Sequence, residues 1–279
     1  MKVELDGFTT LATGLDHPEG AAWGPDGRLY AGGEAGQIYA IGLDGSVQQI
    51  GDTGGFLFGI AADGNGAIYG CDMGRGEIVR VAEGVATTYS SGTADRPLRV
   101  PNFAAFDDAG VLYVTDSGEW GKDDGLLFRV SMGGDTTVWS DAVPAFPNGC
   151  CLSADGGALL VVESRARRVV RVSIEANGAA GPVTAVADLT GSQPDGIALA
   201  VDGTMFVGCY RPDRIYRIPP GGSPEIWAQD ADGVVLNQPA NPVFIGPALD
   251  RLLFTSLGGW NLVAADPGVA GLPLRYPTV

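Results

Sequence analysis

Histidine is almost missing from this chain: His17 is the only one in 279 residues. It opens the stretch HPEGAAWGPDGRLYAGG, residues 17 to 33, and Glu19 follows two positions later at the start of an apolar run. Whatever chemistry the stretch carries belongs to His17, to Glu19 or to neither. Basic residues are also scarce, 17 against 33 acidic ones, for a net charge of -16. Clustered Lys and Arg are what release counterions from nucleic acid and hold proteins to anionic membranes, so neither is an expected partner. No run approaches the roughly 18 apolar residues of a membrane span. The opening MKVELDGFTTLATGL lacks the apolar core of a secretory leader. The four cysteines, Cys71, Cys150, Cys151 and Cys209, have neither CxxC pairing nor zinc-ligand spacing. Cys150 and Cys151 are adjacent and so point to opposite faces of a strand, as small buried hydrophobes rather than a disulfide. A reduced, cytoplasmic protein is expected. Sustained helical periodicity is absent too. Because 45% of residues are hydrophobic and only 18% charged, the acidity does not signal disorder.

Glycine is abundant, 44 residues, and it recurs in register. Six copies of one pattern (polar residue, apolar run, turn, apolar run, turn, apolar run) begin at Glu19, Phe58, Asn102, Asn148, Asp195 and Asn241. The last four starts are 46, 47 and 46 residues apart, within the period of propeller blades. In each copy PDG, DGNG, DDAG, ADGG, VDG or PALD makes a hairpin turn after the first run. The second runs (LYAG, IYGC, LYVT, LLVV, MFVG, LLFT) are β-branched or aromatic, as strands are. The third runs alternate apolar with polar. The stretches VQQIG, ATTYSS, TTVWS, TAVADL and EIWAQ supply outer strands. The fold expected is all-β: one six-bladed β-propeller domain over residues 1–279, with four-stranded blades around a central channel. The last copy has no outer strand after it, so the segment around Thr9 to Leu15 is expected to complete the sixth blade.

Inner strands of a propeller begin at the channel mouth, and five of the six starting residues, all but Phe58, are Asp, Glu or Asn. Strands normally deplete Asp and Asn. Any one of them suits a loop-to-strand junction, but the repeat brings all five to one small ring. Converging carboxylates and amide oxygens repel unless a cation sits among them, and hard oxygen donors suit Ca²⁺, Mg²⁺ or Mn²⁺, with Zn²⁺ also admissible. A second column (Gly33, Asp72, Asp116, Glu163, Cys209, Ser256) closes the second strands, and its acids are expected to bond nearby turns or support the first column.

With these columns aligned, the whole chain resembles the gluconolactonase, regucalcin (senescence marker protein) and luciferin-regenerating enzyme family. PEGAAW resembles that family's first-blade motif, whose glutamate binds metal, which implies that role for Glu19. PNGCCLSADGGALLVVES is similar to its asparagine motif and implies Asn148 as a ligand. QPDGIALAVDGTMFV is similar to the PDG motif whose aspartate both ligates metal and serves as general base, which implies Asp195. VPNFAAFDDAGVLYVTD implies Asn102 near metal and substrate. ESRARRVVRV and ANPVFIGPALDRLLFTS resemble further runs of bacterial members. The chain departs at Phe103, where an aspartate is common, and at Arg99, which stands three residues before Asn102 rather than two.

The resemblance implies hydrolysis of a lactone at a divalent ion, Ca²⁺ foremost, held by Glu19, Asn148, Asp195 and Asn102. Asp195 then takes the proton of the attacking water, Asn102 positions the lactone, and Arg99 stabilises developing oxyanion charge. Phe56, Phe58, Phe103, Trp120 and Phe146, with Asn241 and His17 at the rim, are the expected pocket. Phe58 in the polar column implies a substrate with a hydrophobic portion. Other chemistry on the same site (phosphotriester hydrolysis, dehydration, biosynthetic cyclisation) and a non-catalytic calcium-binding propeller stay open. The expected partner is a small molecule, and the expected state a monomer or small homo-oligomer.

Overall fold

A computed structural model describes residues 2–279. Among the described residues twenty-four strands form six four-stranded antiparallel sheets, five of them running from an inner strand outward in chain order. The inner strands are Ala21–Trp23, Leu57–Ala62, Pro101–Phe106, Pro147–Leu152, Gln193–Leu199 and Pro239–Ile245, in blades 1 to 6. All five outer strands expected from the sequence are present. Thr9–Thr13 pairs antiparallel with Asn261–Ala265 and is the outer strand of the sixth blade, so one sheet joins the two ends of the ring. The inner edge of each sheet faces the channel, where another chain cannot extend it. Among the described residues no helix is long and apolar enough to cross a membrane.

The blades are built by the expected turns. Asp63 and Asp107 each accept backbone N–H bonds from residues two and four positions on, folding the chain back on itself. Gly66 and Gly110 then take φ of 83° and 81°, a conformation that costs other residues strain. Second strands are buried except at Tyr210 and Arg251, and Tyr30, Tyr69, Tyr113 and Phe206 recur at one register position. Each packs between its own blade and a neighbour, as Tyr69 does edge-on to Phe106 at 4.9 Å. A buried aromatic of this kind contributes on the order of 1.5–3 kcal/mol, so blade-to-blade packing is the main cohesion of the ring.

After the last strand, residues 266–279 cross the face of the ring opposite the starts of the inner strands. Their bonds touch every blade in turn. Gly271 N–H donates to Leu249 O, and Leu272 N–H to Leu199 O. Arg275 reaches Ser153 O, Ala154 O and the Asp108 carboxylate. The Tyr276 hydroxyl donates to Trp23 O, and Gly64 N–H to Pro277 O.

Candidate functional site

Five of the six first-column residues sit on a break in register between the first two strands of their blade. The breaks fall at Leu57/Ile60, Pro101/Phe103, Pro147/Cys150, Pro194/Ile197 and Pro239/Pro242. They span Phe58, Asn102, Asn148, Asp195 and Asn241. A bulge inserts an unpaired residue and re-aims its side chain, and here it turns polar groups out of the sheet toward the channel. A proline opens three of these strands and stands second in a fourth, which fits the same geometry, since an inner edge strand needs no N–H there. Glu19, in blade 1, stands two residues before its strand and also follows a proline.

Close backbone contacts then link the blades. A Cβ on Gly20 would collide with Phe58 O, one on Gly59 would lie 2.7 Å from Asn102 O, and one on Gly149 2.8 Å from Asp195 O. A Cβ on Gly196 would strike the Asn241 amide, whose Nδ2–H in turn donates to Glu19 O at 3.0 Å. Between blades 3 and 4, where Phe103 replaces glycine, Thr115 Oγ1 accepts from Phe103 N–H and donates to Asn148 O at 2.8 Å. Thr255 repeats this device, accepting from Asn241 N–H and donating to Glu19 O at 2.7 Å. The first column is thus a closed ring.

Glu19, Asn102, Asn148, Asp195 and Asn241 are all buried. Asn102 Oδ1, Asn148 Oδ1, Asp195 Oδ2 and Asn241 Oδ1 have no hydrogen-bond partner. Four acceptors without a donor are a costly arrangement. Burial pushes the Asp195 carboxyl up to about 7, against the pull of the adjacent Asn148 amide. Glu19 is raised well above the usual carboxylate range, first by burial, then by the charges of Asp195 and Glu34. Two buried carboxyls, Glu19 raised in part by the charge of Asp195, and four unpartnered oxygens are the donor set a hard cation takes. Among the described residues no three His, Cys, Asp and Glu side chains are grouped to hold a metal. A cation here would therefore rest on two carboxylates and on amide oxygens.

The acids of the second column hold the approach to the ring. Asp72 accepts from Phe56 N–H, Asp116 from the N–H groups of Arg99 and Val100, and Glu163 from Ala145 N–H. The Arg99 side chain is turned away from any oxyanion role in this arrangement: it pairs with Asp124 at 3.0 Å and donates to Asp124 O. That pair, with Arg165 on Asp123, latches residues 117–125 across blades 3 and 4. Trp120, half exposed on this loop, stacks edge-on over Phe146 at 4.8 Å. Phe56 and Phe58 form a second edge pair at 5.1 Å, and both are half-buried, whereas Phe103, expected in the same pocket, lines a cavity farther along the channel. The rim is therefore aromatic over blades 2 to 4. It is polar on blade 1, where His17 Nδ1 lies 3.3 Å from the Glu34 carboxylate.

Tyr210 is the residue sequence reasoning missed. It pairs across the strands with Gln193, two residues before Asp195, and its hydroxyl is held far above the usual tyrosine range, first by the Asp195 charge, then by burial and Glu19. It ends the second strand of blade 5 one residue beyond the column position of Cys209. Thr115 and Thr255 were legible as a matched pair in LYVTD and LLFTS but were not singled out.

No curated protein sequence matches the chain. Solved structures share its fold. A gluconolactonase from Xanthomonas campestris superposes with a TM-score of 0.79 at 21% identity, over 93% of this chain and 89% of that one. A calcium-binding regucalcin from Agrobacterium tumefaciens does so with 0.82 at 18%, over 99% and 98%. The virginiamycin B lyase of Staphylococcus aureus, in a form inactivated by loss of a histidine, gives 0.67 at 17%, over 89% and 80%. Hydrolase and lyase chemistry thus occur on this one architecture. The profile of the SMP-30/gluconolactonase/LRE-like region matches residues 17–258, from His17 to just past the second strand of the last blade, and the chain belongs to that family.

Proposed function

We propose that this protein is a divalent-cation-dependent hydrolase of lactones. The observation that carries the reading is the ring of buried oxygens, four of them without any donor, in a family to which lactone-hydrolysing proteins belong. Glu19, Asn102, Asn148 and Asp195 would hold the ion, with Ca²⁺ the first choice for an all-oxygen donor set. When bound, such an ion polarises a carbonyl and makes water more acidic.

The chain's own groups do the rest. Asp195 is the general base: a carboxyl whose burial alone lifts it to about 7 is matched to taking a proton from water near neutrality. The Asn102 side chain would position the lactone through its amide N–H groups, its unpartnered Oδ1 being left to the ion. Asn241 and Thr255 fix the Glu19 backbone, so the carboxylate is presented without rotation of its strand. Tyr210, kept protonated by the two carboxyls, serves as a hydroxyl donor at the same edge. Arg99 acts at a distance, by holding the 117–125 loop. The aromatic arc over blades 2 to 4 accepts an apolar substituent of the substrate, so alkyl or aryl lactones are preferred over polyhydroxylated ones. Four free thiols fit a reducing, cytoplasmic setting.

The test is a hydrolysis screen of lactones and aryl esters on protein stripped with EDTA and then reloaded with Ca²⁺, Mg²⁺, Mn²⁺ or Zn²⁺. Activity should vanish on stripping and return with one or more ions. Full turnover after verified removal of metal refutes the reading.

A further inference from the structure

The channel holds a second space that the oxygen ring does not reach. The later halves of all six inner strands and Leu272 to Tyr276 enclose a cavity of about 100 Å³, and none of Glu19, Asn102, Asn148, Asp195 or Asn241 lines it. Its wall is small and apolar, with Ala22, Ala62, Ala105, Cys151 and Ala198 from five blades. Ala105 and Cys151 stand mid-strand yet are only half-buried, because they face this space. Water gains few hydrogen bonds against such a wall. The covering segment closes it incompletely: Leu274, on its lip, is 45% exposed.

One charged group lines the cavity, Arg275. Its side chain is 17% exposed, whereas its counter-charge Asp108 is 77% exposed on a hairpin turn. The guanidinium is held by Ser153 O and Ala154 O, so its position does not depend on Asp108 alone. A shielded guanidinium beside an apolar chamber is complementary to a carboxylate on an aliphatic chain. We propose that this cavity is a second ligand site, independent of the oxygen ring, for a short-chain aliphatic monocarboxylate. The chain lies among the alanines and the carboxylate takes the place of Asp108 on Arg275. With a net charge of -16 the protein repels anions in general, so binding rests on this one contact. A cavity of about 150 Å³ takes benzene, and this smaller one accommodates roughly three or four carbons beyond the carboxylate.

Calorimetric titration with the unbranched acids from acetate to octanoate tests this, with and without EDTA. Trp23 lines the cavity and gives a fluorescence readout, with Trp23→Phe as the control. Affinity should rise about fourfold per methylene up to pentanoate, then level off or fall, and EDTA should change nothing. Ala105→Leu should abolish binding. Arg275→Met should erase the preference for a carboxylate over the matching alcohol. Asp108→Asn breaks the same ion pair but should tighten binding, by freeing the guanidinium; a purely structural ion pair predicts weakening in both variants. The proposal is overturned by no saturable signal up to concentrations on the order of 10 mM, by binding that survives Ala105→Leu or is lost with EDTA, or by weakening in Asp108→Asn.

Discussion

Replacing Asp195 by Asn should stabilise the metal-free protein while ending its function. The substitution keeps the shape of the side chain and one acceptor oxygen beside the Asn148 amide, but removes a charge. Burial holds this carboxyl at about 7 against an ordinary value of 3.8. Ionising it at pH 8 therefore costs on the order of 4 kcal/mol relative to the unfolded chain, at 1.36 kcal/mol per pH unit. The sign follows from proton counting. Between pH 4 and 7 the folded state holds a proton that the unfolded state has lost, so stability falls as pH rises through that window. Asparagine has no such cost, so the gain should be near zero at pH 4 and full by pH 8. For a chain of this size, ~2–4 °C per kcal/mol turns it into a rise in melting temperature on the order of 10 °C. The assay is thermal or urea unfolding in EDTA at pH 4, 6 and 8, repeated with saturating Ca²⁺. The wild type should gain stability with Ca²⁺ at pH 8 and the variant should not. An Asp195→Asn protein that is less stable than wild type in EDTA at pH 8 would refute the argument, because the carboxylate would then be compensated by something in the fold.

Four other outcomes are expected. Cation binding should release a proton near neutrality, since Asp195 is raised to about 7 and Glu19 is raised beside it; calorimetry in buffers of different ionisation enthalpy measures this, and affinity should drop about tenfold per pH unit below that point. Thr255→Val removes a hydroxyl that accepts from Asn241 N–H and donates to Glu19 O, which should cost about 1–3 kcal/mol of stability and weaken cation binding, whereas Cys209→Ala should affect stability alone. Trp120→Ala should lower kcat/KM for an aryl lactone about tenfold and leave a small unsubstituted lactone unaffected; equal losses on both would mean that the loop, not the ring, matters. Deleting residues 270–279 should lower urea stability by roughly 9 kcal/mol, at about 1 kcal/mol for each bond lost to the blades, with the fold content retained by circular dichroism.

What could be read from the chain alone was whatever recurs with the period of a blade. The turn acids, the aromatic second strands and the polar column are each repeated up to six times, so a single weak signal gains force from its copies, and Thr9–Thr13 could be placed by elimination because one blade lacked an outer strand. The features that escaped fall into two kinds. Some were periodic but unread: proline precedes Glu19, Asn102, Asn148 and Asp195, and follows the same logic at Pro239 near Asn241, marking the bulges that turn those side chains inward. Others have no local signal at all. Arg99 could not be seen to pair with Asp124, 25 residues on, because that contact depends on how the 117–125 loop folds back. Tyr210 comes near Asp195 through cross-strand pairing, opposite Gln193 in the neighbouring strand, and that register is interrupted by the break at Pro194/Ile197.

The segment after the last strand shows most plainly why periodicity has this limit. Residues 266–279 have neither alternation nor a turn signature, and in sequence they read as a tail. Their place is determined by the assembled ring: after Asn261–Ala265, paired in the sixth blade, the chain crosses the far face within bonding reach of the other blades. Leu249, Leu199, Ser153, Asp108, Trp23 and Gly64 then present bonding groups around it. The same assembly that brings five polar side chains to one end of the channel brings this segment to the other. A propeller ring therefore offers two sites of opposite character: oxygens at the end where the inner strands begin, and a small apolar chamber with one guanidinium where they finish. A substitution that disturbs only one end, Asp195→Asn or Ala105→Leu, should leave ligand binding at the other unchanged. Loss at both from either substitution would mean that the ring responds as a unit and the two ends are coupled through the inner strands.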